Sequence, residues 1–267
     1  VIAGGTGFLG TPLTAALLAD GHRVTVLSRN PAAPVPPGAR VEPWDPHRAA
    51  SPWTGAIDAA DVVVNMAGEP IADHRWTAAR KRRIEDSRIV STRRLADAIT
   101  RSPSPPAVFV NGSGVGFYGP CGSEIVTEDT GAGTDFLGAV CRRWEAQAVE
   151  AASARTRVVC VRTGLVLAPD GGALKPLLLP FRLGVGGRLG SGQQYWPWIH
   201  RADWVDLVRF AIARADLAGP MNATAPQPVT NAEFTRALGR ALRRPAVLPV
   251  PAPALRILLG EMADALL

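Results

Sequence analysis

The first half of the chain alternates short apolar runs with longer amphipathic stretches, the pattern of β-α-β units built around a parallel sheet. Val1 to Ala3 reads as a strand, Phe8 to Ala19 as a helix closed by Asp20-Gly21, and Arg23 to Leu27 as the next strand, rich in β-branched residues. Val41 to Trp44 is a short third strand. Pro31 to Pro37 is loop, because proline supplies no ladder donor and fixes its own φ. Asp61 to Asn65 is a buried strand. Ser87 to Ile99 has the spacing of a helix, with Ile89, Leu95 and Ile99 on compatible positions, and Ala107 to Asn111 follows as a fifth strand. Asp135 can cap a helix running to about Ala152, and Arg157 to Leu167 contains the sixth strand. Six strands with intervening helices predict an α/β fold, a Rossmann-like doubly wound parallel sheet.

After Ala168 the rhythm changes. Gly171-Gly172 leads into a Leu-rich segment and then a glycine-dense run from Gly184 to Gly192, which reads as a loop or a cleft wall. Trp196 to His200 reads as a strand, Asp203 as the cap of a helix to about Arg214, Pro220 to Thr224 as extended, and Thr230 or Asn231 as the cap of a helix to Leu242. The expected organisation is a Rossmann-like domain over 1–168 that also receives 198–224. Residues 169–197 and 225–267 would form a smaller C-terminal lobe.

Composition narrows the class. The chain has 267 residues, 47% hydrophobic and 19% charged, with 27 Gly and 24 Pro, which fits a turn-rich globular protein and excludes bulk disorder or coiled coil. Apolar runs such as Val247 to Leu259 are broken by Pro or Arg before the roughly 18 residues a membrane span needs, so no membrane helix is expected. The sequence starts at Val1 inside an apolar run with no Met and no leader, which reads as a trimmed end. Cys121, Cys141 and Cys160 form no C-x-x-C pair, so a reducing cytoplasm is expected, with neither disulfide framework nor zinc ribbon. His22, His47, His74 and His200 are too scattered for metal ligation. No serine-hydrolase elbow is present.

The net charge is +6, and with only Lys81 and Lys175 as lysines the other 27 of 29 basic residues are arginine. The cluster Arg80 to Arg83 is followed at once by Glu85 and Asp86 without interleaved aromatics. It reads as a solvated helix face rather than a nucleic-acid patch, and the positive charge suits an anionic small ligand.

The strongest chemical signal is Gly4-Gly5-Thr6-Gly7-Phe8-Leu9-Gly10 between the first strand and the first helix. Glycine at the tight turn permits positive φ, glycine at the second position lets a pyrophosphate approach the backbone, and Gly10 lets helix and strand pack closely. The helix N-terminus then offers free N–H groups and a positive dipole end to the anion. A dinucleotide site follows. An acidic residue at the end of the second strand would select NAD; Ser28 and Arg29 stand there instead, and they suit the 2′-phosphate of NADP.

At this point the sequence resembles a known family. GGTGFLG (4–10), NMAG (65–68) and YG (118–119) are similar to an extended short-chain dehydrogenase/reductase. NMAGEPI (65–71), RW (75–76), SR (87–88), RTGLVL (162–167), WIH (198–200) and NATAPQPVTNAEF (222–234) resemble its atypical, nucleotide-sugar-epimerase-like branch. The resemblance implies an NADP domain with a small substrate lobe. It places Gly4, Thr6, Gly7, Phe8 and Leu9 at the pyrophosphate, Ser28 and Arg29 at the 2′-phosphate, Asp45 at adenine, and Met66, Ala67 and Gly68 along the ribose and nicotinamide. A homodimer through the helices at 87–99 and 135–152 is a further family expectation.

The catalytic assignments depart from the superfamily. Its members use a Tyr-x-x-x-Lys pair in which lysine lowers the tyrosine pKa. By resemblance these places fall on Leu137 and Cys141, and neither residue can do that work. The usual serine falls at Gly114, with Ser113 one residue early, and a helix position often held by asparagine is Arg88. Candidates that remain are Ser113, Tyr118, Arg88 and His200 for catalysis, with Glu69, Lys81, Arg162, Gln193 and Trp198 toward substrate. Tyr118 reads either as a substitute acid or as a buried ring with a satisfied hydroxyl. Arg88 reads either as an anion clamp or as a helix-surface ion pair, and His200 either as a substrate contact or as a packed core group. Trp196 shares the pocket-forming region, and Thr163 lies with Arg162 at the ligand-bearing edge of the sheet. The expected function is NADP-dependent hydride transfer at a carbinol or carbonyl carbon of a small anionic substrate. The alternative is a non-catalytic NADP(H)-binding regulator or sensor; a nucleic-acid or cell-division partner would rest on charge alone.

Overall fold

The structure is a computed structural model that describes residues 1–48 and 52–267. In chain order its elements are β1 (Ile2–Ala3), α1 (Gly10–Ala19), β2 (Thr25–Ser28), β3 (Arg40–Pro43), α2 (Trp53–Asp58), β4 (Val62–Asn65), α3 (Ala78–Arg101), β5 (Val108–Gly114), α4 (Phe136–Val149) and β6 (Arg157–Thr163). There follow β7 (Leu165–Ala168), β8 (Gly171–Gly172), α5 (Lys175–Arg182), β9 (Tyr195–Trp196), β10 (Trp198–His200), α6 (Arg201–Ala213), β11 (Gly219–Ala223), β12 (Val229–Thr230), α7 (Asn231–Leu242) and α8 (Ala252–Leu259).

Alternation along the strands builds two cores. Val64, Val110, Val159 and Val161 pack with Leu13 and Leu17 of α1 and with Trp204 and Val208 of α6. Their strand neighbours Val63, Phe109, Val158 and Cys160 face the other way, onto Trp53 and Ile57 of α2, Leu95 and Ile99 of α3, and Ala148 of α4. Apolar residues on both faces of a strand require helices on both sides, and the parallel sheet is covered accordingly. The strand order is β11-β6-β5-β4-β1-β2-β3, all parallel, with β1 at the switch point between β2 and β4. This is the Rossmann-like architecture that the pattern predicts.

Several expectations need correction. The sheet has seven strands rather than six, because the extended run at 219–223 pairs with β6 from Gly219↔Val159 to Ala223↔Thr163. The third helix spans Ala78–Arg101, far longer than Ser87 to Ile99. Its N-terminal half buries Arg80, Ile84 and Arg88, so arginines hold places that hydrophobic periodicity expects to be apolar. Arg80 is therefore no part of a solvated face; Arg82 and Arg83 are exposed. The first helix starts at Gly10, after the Thr6 to Leu9 turn. The strand at 196–200 is split at Pro197: β9 pairs with β12 and β10 with β7. His200, not Asp203, caps α6, its Nδ1 accepting from the Ala202 N–H at 3.2 Å. Helices α5 and α8 were not signalled, because prolines at 176, 180 and 253 interrupt their apolar spacing.

Candidate functional site

The carboxyl ends of β1, β2, β4, β5, β6 and β11 open on one edge of the sheet. The glycine loop leaves β1 there. Gly4 has φ +80°, and a Cβ on it would lie 2.6 Å from the Met66 carbonyl carbon. A Cβ on Gly10 would lie 2.2 Å from the Gly4 oxygen, so the helix start presses directly on the strand end. The Gly7 N–H closes the turn onto the Gly4 carbonyl at 3.0 Å. Thr77, Asp135, His200 and Thr230 cap α3, α4, α6 and α7 with their side chains, whereas no side chain caps α1, and none caps α2, α5 or α8. The N–H groups of Thr6, Phe8, Leu9 and Gly10 have no hydrogen-bond partner among the described residues, and with glycine at 4, 5, 7 and 10 the turn forms a cradle that fits the diphosphate of a dinucleotide. The Phe8 ring meets Gly171 and Gly172, where a Cβ would come within 2.3 and 2.7 Å of it, so the β7–β8 hairpin packs on this loop.

The adjoining positions line up along the same edge. Ser28 ends β2, its Oγ accepting from the Asn30 N–H at 3.2 Å, and Arg29 is exposed with no ion-pair partner among the described residues. Asp45, beyond β3, accepts from the His47 N–H at 3.0 Å. Met66, Ala67 and Gly68 follow β4. That strand end is held by a buried network: Asn65 donates to Thr92 Oγ1 at 2.7 Å and Asn111 Oδ1 at 2.8 Å, accepts from the Ala67 N–H at 3.1 Å, and Trp144 Nε1 donates to Thr92 at 2.7 Å.

A second network lies under the ends of β5, β6 and β11. Ser113 Oγ donates to Glu145 Oε1 at 2.6 Å. Arg162 holds both oxygens of Glu145, donates from Nη1 to the Tyr118 hydroxyl and the Glu128 carbonyl at 3.0 Å each, and stacks 3.5 Å from the Phe117 ring centroid. Tyr118 donates to Asn222 Oδ1 at 2.6 Å, and the Asn222 N–H reaches Glu128 Oε1 at 2.8 Å. Burial alone would lower the Arg162 pKa; the hydrogen bonds to Glu145 and Tyr118 outweigh it and hold the guanidinium protonated more firmly than usual. Tyr118 is 6% exposed and Arg162 4%, so both are embedded in this network.

Arg88 lies beside Gly68, where a Cβ would be 3.0 Å from its guanidinium carbon. Leu137 packs near Gly116, and Cys141 is buried with its thiol pushed up to about 11, chiefly by desolvation. The two places that the resemblance gives to a Tyr-Lys pair thus hold an aliphatic side chain and a thiol that desolvation keeps protonated. Glu69 is bound at 2.7 Å by Arg80, and Lys81 pairs with Glu261. Gln193 and His200 are exposed and Trp198 is half-buried. The glycine loop, Ser28, Arg29, Met66 to Gly68, Arg88 and Ser113 all belong to the strand-end edge, while Gln193 and Lys81 belong to the C-terminal region and its contact with α3. Sequence reasoning missed Glu145, Glu128 and Asn222 as members of the polar network, and Arg80 as a buried partner of Glu69. A charged residue next to buried Trp144 on α4 was the available signal for Glu145.

A family model described as the NAD dependent epimerase/dehydratase family matches residues 1–223. An epimerase family protein of Mycobacterium bovis is 43% identical over 263 residues, covering 98% of this chain and 85% of that protein. The crystal structure of the human epimerase family protein SDR39U1 (isoform 2) with NADPH is similar at a TM-score of 0.86 and 38% identity, covering 98% of this chain and 86% of that one. That of a nucleoside-diphosphate sugar epimerase from Corynebacterium glutamicum gives 0.76 and 35%, covering 99% of this chain and 56% of that one.

Proposed function

The chain belongs to the NAD dependent epimerase/dehydratase family, and from that premise we propose that it is an NADP(H)-dependent oxidoreductase or epimerase-like enzyme acting on a small anionic substrate. The observation that carries this reading is the glycine turn from Gly4 to Gly10, closed by close backbone contacts at Gly4 and Gly10 and leading into a helix without a side-chain cap, with Arg29, unpaired among the described residues, at the end of β2. The human relative solved with NADPH supports the choice of cofactor. When bound there, NADPH would supply the hydride for reduction of a carbonyl carbon.

The chain's own residues bind and orient. Backbone N–H groups of Thr6, Phe8, Leu9 and Gly10 take the diphosphate, Ser28 and Arg29 take the 2′-phosphate, and Asp45 faces the adenine end. Met66, Ala67 and Gly68 form the wall beside the nicotinamide. Ser113 and Arg88 supply polar contacts at that end, and His200 stands at the start of α6.

Titration with NADPH and NADH, followed by tryptophan quenching, tests the reading. Micromolar NADPH affinity with much weaker NADH affinity supports it, and failure to bind either dinucleotide overturns it. The second reading is a non-catalytic NADP(H) sensor, favoured by Leu137 and Cys141 in the two places where proton transfer is usually organised. Oxidation of bound NADPH by any member of a panel of carbonyl acids, ketoses and aldehydes excludes it.

A further inference from the structure

Arg88 is a buried cation that makes no ion pair among the described residues. The residue is 9% exposed, and its Nη1 donates to two backbone carbonyls, Glu69 and Ile84, at 3.0 Å each. Nε and Nη2 have no hydrogen-bond partner among the described residues. The nearby acids are engaged elsewhere: Glu69 with Arg80, Glu145 with Arg162, and Glu85 with Arg143. Cys141 remains a neutral thiol. Desolvation pulls the guanidinium pKa down to about 10, so the group stays charged at neutral pH while its solvation is poor. The indole of Trp144, 5.1 Å away, offers only a cation–π contact.

Location gives this charge a purpose. Gly68 ends the strip that follows β4, next to the switch point, and its missing side chain leaves the guanidinium room against the backbone. Nε and Nη2 form one edge of the guanidinium, the fork that takes both oxygens of a carboxylate. We propose that Arg88 is the receptor for a substrate carboxylate, so that the substrate is a carboxylic acid whose carboxylate is held beside Gly68. The assignment rests on the hydride-transfer reading for its reaction, but the carboxylate site itself does not require the dinucleotide.

Calorimetric titration of the protein with oxamate, alone and mixed with NADPH, tests the proposal, with oxamide as the neutral isostere and inorganic phosphate as the tetrahedral anion. Oxamate is expected to bind about thirtyfold more tightly than oxamide, and Arg88→Met to lose that preference while Arg88→Lys keeps part of it. Near-UV circular dichroism checks that the variants fold. Should Arg88→Met misfold, the contrast between oxamate and oxamide in the unaltered protein decides. Equal binding of oxamate and oxamide, no oxamate binding at millimolar concentration in either mixture, tighter binding of phosphate, or a folded Arg88→Met that still prefers oxamate overturns the proposal. Oxamate binding without NADPH binding supports the carboxylate site and refutes the hydride-transfer reading instead.

Discussion

Arg162 grips Glu145 through two parallel hydrogen bonds, Nε to Oε1 and Nη2 to Oε2, both at 2.9 Å. The pair joins β6 to α4, and Glu145 also receives the Ser113 hydroxyl, so a single carboxylate ties two strand ends to one helix. A bidentate pair buried this deeply is expensive to break on one side only.

Arg162→Met is accordingly expected to destabilise the protein by about 3–5 kcal/mol, since Glu145 is left buried with only a serine donor. The double variant Arg162→Met, Glu145→Leu should be closer to the parent than either single change. Urea unfolding measures both: a lower midpoint at unchanged slope for Arg162→Met agrees, and a midpoint equal to the parent's refutes it.

Gly10→Ala sets a methyl group against the Gly4 carbonyl, where the Cβ would be 2.2 Å from the oxygen. The loop must open to accommodate it, and NADPH affinity is expected to fall at least about tenfold, with a loss of stability of about 1–3 kcal/mol. Unaltered NADPH titration would show that the cradle is not where the diphosphate binds.

Arg29 is exposed and unpaired among the described residues, so replacing it perturbs little else. Arg29→Asp should weaken NADPH by roughly 10- to 100-fold, the worth of a charge-assisted hydrogen bond to phosphate, and improve NADH relative to it. An unchanged NADPH to NADH ratio counts against the assignment.

Cys160 gives a pH test. Desolvation raises its thiol from 9.0 to about 12 in the folded chain, so between these values the unfolded state loses a proton that the folded state retains. The contribution is fully present below pH 9 and is lost as pH rises toward about 12, with a limiting slope of about 1.4 kcal/mol per pH unit. Cys160→Ala should be less stable at pH 7 yet lose less stability between pH 9 and 11 than the parent. Parallel unfolding curves over that range would contradict this.

His200 caps α6 through Nδ1. Losing that acceptor in His200→Ala is expected to cost about 0.5–2 kcal/mol, whereas His200→Asn, which can cap, should cost less. Equal melting temperatures for the two variants would argue against a capping role.

Local chemistry was the legible part of the sequence. The Gly4 to Gly10 turn, the alternation that buries both faces of β4, β5 and β6, and the caps at Asp135 and Thr230 are fixed within a few residues, and each is where its spacing predicts. The first half of α3 was hidden because Arg80 and Arg88 occupy buried positions, and their partners Glu69 and Gly68 precede the helix. The network of Glu145, Tyr118, Asn222 and Glu128 was hidden for a related reason. Its members lie on α4, β11 and the loops after β5, and no short-range pattern encodes their convergence.

The pairing of β11 with β6 also bears on how the chain comes off the ribosome. Until Gly219–Ala223 emerges, β6 presents an open row of backbone donors and acceptors beside the apolar run Val158 to Val161. A nascent polypeptide halted just after Ala168 would have most of its sheet and an unprotected edge, the condition under which chains associate with one another. The interval in which β6 is itself an edge ends when a short strand, drawn from well beyond the nucleotide loop, arrives to cover it and passes the edge to Gly219–Ala223, whose Pro220 offers no N–H for further pairing.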